Sequence, residues 1–161
     1  MKVKEIMTPN PKACSPTTTL SDVAHLMWDY DCGIVPVVQE GGKVVGLITD
    51  RDICMAAAMQ NRNLSNIAVE DVISGDVFAC RTEDDVRQAL DIMRHNKVRR
   101  LPVLDEDELL IGVLSLNDIA RKVEDGKNGK RTEVAYRDVI KTYKSICEPR
   151  GKTSQALTAS A

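Results

Sequence analysis

The stretch Gly46-Leu47-Ile48-Thr49-Asp50-Arg51-Asp52 returns as Gly112-Val113-Leu114-Ser115-Leu116-Asn117-Asp118, a shift of 66 positions from 46 to 112. The same shift carries Val35-Pro36-Val37 onto Leu101-Pro102-Val103 without a gap. A repeat unit of this length holds several secondary-structure elements, and the chain contains only two copies. The sequence therefore predicts two similar halves packed around a pseudo-two-fold axis, with two equivalent clefts.

Each half contains the same order of predicted elements. After an extended segment, apolar residues recur at the spacing of one helix face. Two short apolar runs then predict the strands of a hairpin because they are rich in β-branched residues, and a second helix follows. The apolar faces of the first helices consist of Leu20, Val23, Ala24 and Met27 in one half and of Val86, Ala89, Leu90 and Met93 in the other. The predicted fold class is α+β, with each half running strand, helix, strand, strand, helix.

The repeat also suggests how the chain divides. We place the first motif at residues 1–60 and the second at residues 61–123, followed by a linker and a C-terminal amphipathic helix at 124–148 and a flexible tail at 149–161. The apolar face predicted for the C-terminal helix consists of Tyr136, Val139, Ile140, Tyr143 and Ile146. This face must bury against the domain or against a second subunit.

Composition narrows the class of protein. The chain has 161 residues, of which 43% are hydrophobic and 29% charged, as expected for a globular protein. It lacks a run of about 20 apolar residues and begins without a secretory segment, so we expect a cytoplasmic protein outside the membrane. A net charge of −2 and an aromatic content of 3% argue against nucleic acid as a partner.

The repeated Thr/Ser-x-x-Asp spacing can bind a nucleotide. Thr49 and Ser115 each end a predicted strand, and Asp52 and Asp118 each follow three residues later in the first turn of a helix. A hydroxyl and the free N–H groups of that turn can hold a phosphate. The carboxylate can accept both hydroxyl protons of a ribose. The alternative is a helix capping box, which has nearly the same spacing. A cap, however, does not require the repeated glycine and proline strands around it.

With these motifs in place, the chain resembles a tandem CBS domain pair, or Bateman module, over about residues 3–123. In that family, Gly-hydrophobic-hydrophobic-Thr/Ser-x-x-Asp closes each CBS motif. The resemblance implies a stand-alone regulatory module without enzyme activity and without a required cofactor. Its regulatory ligand would be an adenosine compound, namely AMP, ADP, ATP or S-adenosylmethionine. It further implies a homodimer, because such modules commonly form disc-like dimers, and a regulated protein that the sequence does not identify.

The resemblance also assigns roles to individual residues. Asp52 and Asp118 would accept the ribose hydroxyls, and Thr49 and Ser115 would contact the sugar or phosphate. The remaining expected ligand-binding residues are Arg99 and Arg100 at the phosphate oxygens, Met7 and Lys12 beside the second site, and Ile73 and Phe78 beside the first. The arginine pair has Gly33 and Ile34 as its counterparts. We therefore expect the second cleft to bind a phosphorylated ligand more tightly.

A second hypothesis is a ligand-free CBS scaffold for dimerisation or partner binding. No catalytic residue is predicted, because the sequence assembles no nucleophile–base pair. No metal site is predicted either. His25 and His95 do not match in the repeat, and the five cysteines contain no Cys-x-x-Cys pair.

Overall fold

The computed structural model describes residues 1–73, 75–123 and 134–149. Its helices and strands follow the predicted order in both halves. The first half contains α1 (Leu20–Asp29), β2 (Ile34–Val38), β3 (Val44–Thr49) and α2 (Asp50–Gln60), and the strand β1 (Thr8–Pro9) precedes it. The second half contains β4 (Cys80–Arg81), α3 (Val86–Asn96), β5 (Arg100–Leu104), β6 (Leu110–Ser115) and α4 (Leu116–Lys122), and α5 (Tyr136–Cys147) follows it.

The two hairpins repeat in detail. Strands β2 and β3 pair antiparallel, as do β5 and β6, and each pair carries one register shift, between Val37 and Val38 and between Val103 and Leu104. The second hairpin lies in a four-stranded sheet with the order β1-β6-β5-β4. In the first half, Cys14 makes an isolated parallel bridge to Val37, in the place that β4 occupies in the second half. The 66-residue repeat is therefore a repeat of backbone structure.

The segments that precede the two motifs cross over between the halves. Val3 is fully buried in the core of the second half, and Val69 is fully buried in the core of the first. The Val3 N–H donates to Asp84 O at 3.0 Å, and the Val69 N–H donates to the matching Thr18 O at 2.9 Å. Each valine lies in a short 3₁₀ helix. Burying one such side chain stabilises a fold by roughly 1.5–3 kcal/mol. The crossing segments therefore join the two cores.

Helix α5 lies on α3 and α4 of the second half through part of its predicted apolar face. Val139 and Thr142 are buried and Ile146 is partly buried, whereas Tyr136, Ile140 and Tyr143 are about half exposed. Part of the predicted apolar face is therefore buried against the domain, and cover of the other part by a second subunit, which the sequence left open, stays a prediction. The apolar arc of the helix is wider than its contact with the domain, and periodicity alone does not choose the side that packs.

Two predictions concern residues that the structure does not describe. The linker predicted at the start of 124–148 and most of the predicted tail lie outside the described residues. None of the helices that the structure describes combines the length and the apolar character needed to cross a membrane.

Candidate functional site

Both repeated motifs form capping boxes at the start of a helix. In the first, the Thr49 hydroxyl donates to Asp52 Oδ2 at 2.6 Å, and the Thr49 N–H donates to the same oxygen at 2.9 Å. In the second, the Ser115 hydroxyl and N–H donate to Asp118 Oδ2 at the same two distances. The N–H of each aspartate donates back to the hydroxyl oxygen. The capping interpretation of the sequence is therefore confirmed for both halves.

The boxes leave a defined part of each carboxylate available. The hydrogen bonds that each carboxylate accepts in its capping box all go to Oδ2. Within the described residues, Oδ1 of Asp52 and Oδ1 of Asp118 accept no hydrogen bond. Both aspartates are partly exposed. A carboxylate oxygen has two lone pairs, so one Oδ1 can accept from both hydroxyls of a ribose. The sequence predicted that both oxygens of the carboxylate bind the ribose hydroxyls. That arrangement would require the hydrogen bonds to Oδ2 in the capping box to break.

The capping bonds also restrict the hydroxyl groups. A serine or threonine hydroxyl has one proton, and in both boxes that proton points to the aspartate. In this arrangement Thr49 and Ser115 can accept a hydrogen bond from a sugar hydroxyl, but they cannot donate one to a phosphate. Their contribution to phosphate binding is therefore excluded as long as the boxes stay closed.

The two arginines lie directly beside the second box. Arg100 is the register partner of Ser115 in the β5–β6 pair, and the Leu116 N–H donates to Arg99 O at 2.9 Å. Together with Ser115 and Asn117, the arginines line a cavity of about 40 Å³. Since about 10–15 Å³ of such space holds one water molecule, the cavity has room for a few water molecules but not for a whole nucleotide.

A larger cavity adjoins the other side of Asp118. It measures about 280 Å³ and is lined by Ile6, Asp118, Arg121 and Lys122. These two cations were not among the site residues predicted from the sequence. The signal was present, because residues three and four positions after an aspartate in a helix lie on the same face as the aspartate. The second box therefore has four cationic side chains around it.

The first box lacks these cations. The counterparts of Arg99 and Arg100 are Gly33 and Ile34, and the counterparts of Arg121 and Lys122 are Met55 and Ala56. Asp50 stands where the second half has Leu116, which adds a second carboxylate beside Asp52. Arg51 is the cationic side chain of this turn. The two boxes thus have the same geometry but different charged residues in their own halves.

Arg100 extends toward the first half. A Cβ atom built on Gly33 would lie 3.1 Å from Asp50 Oδ2 and 3.7 Å from Arg100 Nη2. The guanidinium group of the second half and the carboxylate of the first half therefore approach the same glycine. Arg100 lies where a bound anion could change the contact between the halves.

The glycine strands pack closely against apolar side chains from the crossing segments. Met7 Sδ would lie 2.5 Å from a Cβ atom on Gly112, and Ile73 Cδ1 would lie 2.7 Å from a Cβ atom on Gly46. This matches the close packing that the sequence predicts for the two glycines. Met7 is thus against the second half and Ile73 against the first, on the sides where the sequence analysis expected them.

Lys12 and Phe78 have other contacts. The Lys12 ammonium lies 4.7 Å from the centroid of the Tyr30 ring, at the end of α1. Phe78 packs against the core of the second half. Within the described part of the chain, no hydrogen bond or ion pair joins either side chain to a box, so their role in a cleft stays a prediction.

Comparison with known proteins identifies the family. The family model for the CBS domain matches residues 3–58 and 69–125. The chain belongs to the CBS-domain family. CBS pairs are regulatory modules. A 17.7 kDa protein of Acidianus ambivalens is 35% identical over 124 residues, which cover 77% of this chain and 74% of that protein. The CBS domain-containing protein YhcV of Bacillus subtilis is 32% identical over 118 residues, which cover 73% of this chain and 82% of YhcV.

Solved structures show the same fold. The CBS domain pair of protein MJ0100, in complex with 5′-methylthioadenosine and S-adenosyl-L-methionine, has a TM-score of 0.69 at 24% identity and covers 75% of this chain and 94% of that one. The CBSX2 protein in complex with AMP has a TM-score of 0.64 at 26% identity, and the match covers 74% of this chain and 93% of that one. The tandem CBS fold, with a helix added after the second motif, is therefore confirmed.

Proposed function

We propose that this protein is a regulatory module that senses an adenosine nucleotide in the cleft beside Ser115 and Asp118. One observation carries the proposal: Arg99 and Arg100 line a cavity with Ser115, whose hydroxyl donates to Asp118, and Oδ1 of Asp118 accepts no hydrogen bond in the described part of the chain. A ribose needs an acceptor for its hydroxyl protons, and a phosphate needs guanidinium donors. The second box has both within one short stretch of structure.

The charges of this cleft favour AMP, ADP or ATP over S-adenosylmethionine. Arg121 and Lys122 line a cavity with Asp118, and Arg99 and Arg100 line another with Ser115 of the same capping box. S-adenosylmethionine has a positive sulfonium and ammonium group against a single carboxylate, so these cations should attract it less than they attract a phosphate. The Asp118 Oδ1 atom accepts the ribose hydroxyls, and the arginines bind the phosphate. The first cleft, with Asp50 and Asp52, is expected to bind nucleotides more weakly.

Regulation requires that the ligand bind two arrangements of the molecule with different affinity. Arg100 can couple ligand binding to the arrangement of the halves, since its guanidinium group approaches Gly33 beside Asp50 of the first half. A phosphate that draws Arg100 toward the second box weakens its approach to Asp50. Nucleotide binding is thereby coupled to the packing of the two halves.

A thermal-shift panel of AMP, ADP, ATP, S-adenosylmethionine and adenosine tests the proposal. A ligand that binds only the folded state at 100 times its Kd adds about 2.7 kcal/mol of stability. We expect the phosphorylated compounds to raise Tm more than the other two do. The variant R99A/R100A should lose this preference for phosphate. R51A is the matched control, because Arg51 is an exposed arginine of the first box, and it should respond like the wild type.

The second candidate function is a ligand-free CBS scaffold for dimerisation or partner binding. It is favoured by the closed capping boxes and by the packing of Met7 and Ile73 on the glycine strands. A flat thermal-shift panel would support the scaffold and contradict the sensor. With either function, we propose a homodimer in the cytoplasm that has no catalytic activity. Unchanged ATP after prolonged incubation with the protein would be consistent with that last proposal.

A further inference from the structure

Helix α5 has an outer apolar face beside the residues that pack on the domain. Val139 and Thr142 are the buried residues of this helix, which lies on α3 and α4. On the outer side, Tyr136 is 45% exposed, Ile140 is 55% exposed and Tyr143 is 49% exposed. Within the described structure, about half of each of these three side chains therefore remains in contact with solvent.

The exposed residues follow the spacing of a coiled-coil seam. Tyr136, Ile140, Tyr143 and the exposed Cys147 lie four, three and four positions apart. This is the alternation of d and a positions in a heptad repeat. A stripe of a and d positions alone is narrower than the apolar face with which a helix packs on a core or lies in a lipid surface. The outer face of α5 therefore suits a single partner helix.

One flank of this seam is basic. With Tyr136 at a d position, Arg137 and Lys144 occupy the two e positions of the helix, and Lys141 is exposed on the same side. None of these three cations forms an ion pair with another described residue. Charges at e positions lie beside the seam, where they face the charges of a partner helix.

The acidic side chains near the two ends of α5 do not neutralise this flank. Asp138 Oδ2 accepts the Ala135 N–H at 3.0 Å, where the helix begins. Glu148 Oε2 lies 3.8 Å from the Lys97 ammonium. A partner helix would therefore meet an apolar seam beside uncompensated positive charge, and carboxylates on that helix would complement it.

We propose that the outer face of α5 binds an acidic amphipathic helix of a different protein. The apolar side chains of that helix pack on Tyr136, Ile140 and Tyr143, and its carboxylates pair with Arg137 and Lys144. Charges beside the seam select the partner of a helix in such a pair. In an antiparallel pair of α5 helices from two copies of this chain, cations would meet cations, which suppresses association. The docking requires no nucleotide.

Fluorescence anisotropy of a labelled synthetic peptide, titrated with the full chain, tests the docking. The acidic peptide has leucine at every a and d position, glutamate at every e and g position and alanine elsewhere, so its own charges keep it from pairing with itself. The basic peptide has lysine in place of every glutamate. At about 0.1 M salt, surface charges are only partly screened. There the wild type should bind the acidic peptide at least about tenfold more tightly than the basic one.

Two variants distinguish the charges from the seam. R137E/K144E reverses the flank, so it should bind the acidic peptide at least about tenfold more weakly than the wild type and should bind the basic peptide more tightly. I140S/Y143S removes two apolar side chains of the seam and keeps the cations. It should also weaken binding of the acidic peptide by at least about tenfold, because the leucines lose the surface on which they pack. Circular dichroism shows that each variant is folded.

K43E/R51E is the matched control. It makes the same change in net charge as R137E/K144E, at two exposed cations of the first half, and should bind the acidic peptide as the wild type does. Equal affinity of the wild type for the two peptides would overturn the proposal. Equal weakening by K43E/R51E and R137E/K144E would also overturn it, because the peptide would then respond only to net charge.

Two other occupants of the face give different results. If the wild type is a dimer in sedimentation velocity and I140S/Y143S is a monomer, a second copy of the chain covers the face. If the protein floats with vesicles of phosphatidylcholine and phosphatidylserine, R137E/K144E does not, and neither chain binds the acidic peptide, the face binds lipid. Either result would overturn the docking of a partner helix. Every measurement is made without nucleotide, so none of these outcomes bears on the nucleotide site.

Discussion

At the scale of single residues, the two carboxylate oxygens of Asp52 have different roles, and so do those of Asp118. Oδ2 accepts the capping bonds, and Oδ1 has no partner in the described part of the chain. The cap therefore fixes the direction in which Oδ1 points. An acceptor held in place before the ligand arrives loses less conformational entropy on binding. A helix cap and a ligand site can thus share one side chain.

Cys80 and Cys14 give a residue-scale prediction about pH. Burial raises the pKa of Cys80 to about 12, with a smaller contribution from Asp84, and burial raises the pKa of Cys14 to about 11. The ordinary thiol pKa is 9.0. Because the folded pKa values are the higher ones, the stabilisation is complete below pH 9 and is lost as the pH rises toward 11 to 12. Urea unfolding at pH 8 to 10.5 should show the free energy of unfolding falling, by at most about 1.4 kcal/mol per pH unit for each thiol.

Other groups also titrate in this range, so the comparison of variants carries the prediction. C80A should have a shallower pH dependence than the wild type. C54A, at an exposed position, should match the wild-type slope. Identical slopes for C80A and the wild type would contradict the assignment to a buried thiol.

At the scale of elements, the crossing segments connect each half to the core of the other. We expect V3A and V69A each to lower the free energy of unfolding by about 1–3 kcal/mol, because each removes two methyl groups from a fully buried position. Amide hydrogen exchange shows which part of the core loses protection in each variant. V3A should expose amides of α3 and β5, and V69A should expose amides of α1 and β2. E5A, an exposed change in the same turn as Val3, should do neither. If V3A instead lost protection in the first half, or V69A in the second, the crossing of these segments into the opposite cores would be refuted.

The elements also show what the sequence could and could not predict. Helices and hairpins with clear periodicity were found, and Met27 and Met93 are buried as expected. The resemblance placed Met7 beside the second site and Ile73 beside the first, but no periodicity showed that Val3 and Val69 cross into the opposite cores, because a three-residue turn is too short to show a period. The periodicity of α5 predicted its apolar residues but could not tell which of them pack on the domain, because they span more than one side of the helix. The spacing of Thr49 and Asp52 predicted the cap, but no pattern told which carboxylate oxygen stays unpaired.

At the scale of the whole molecule, the pseudo-two-fold symmetry applies to the backbone and not to the charge. The two boxes have the same hydroxyl–carboxylate distance, 2.6 Å. Their surroundings differ, with Arg99 and Arg100 beside one box and Asp50 beside the other. A difference in ligand affinity between the clefts would therefore come from electrostatics, since the hydrogen-bonding groups are equivalent.

The variants D118A and D52A test this asymmetry. Each removes one capping box, so both should lose a similar stability of about 1 kcal/mol. Calorimetric titration with AMP should separate them. D118A should bind at least about tenfold more weakly, because hydrogen bonds to a charged acceptor contribute roughly 1.5–3 kcal/mol, whereas D52A should bind nearly as the wild type does. Equal losses of affinity would mean that the clefts are equivalent despite their charges. Full affinity in both variants would place AMP away from the boxes, because neither carboxylate would then be holding its ribose.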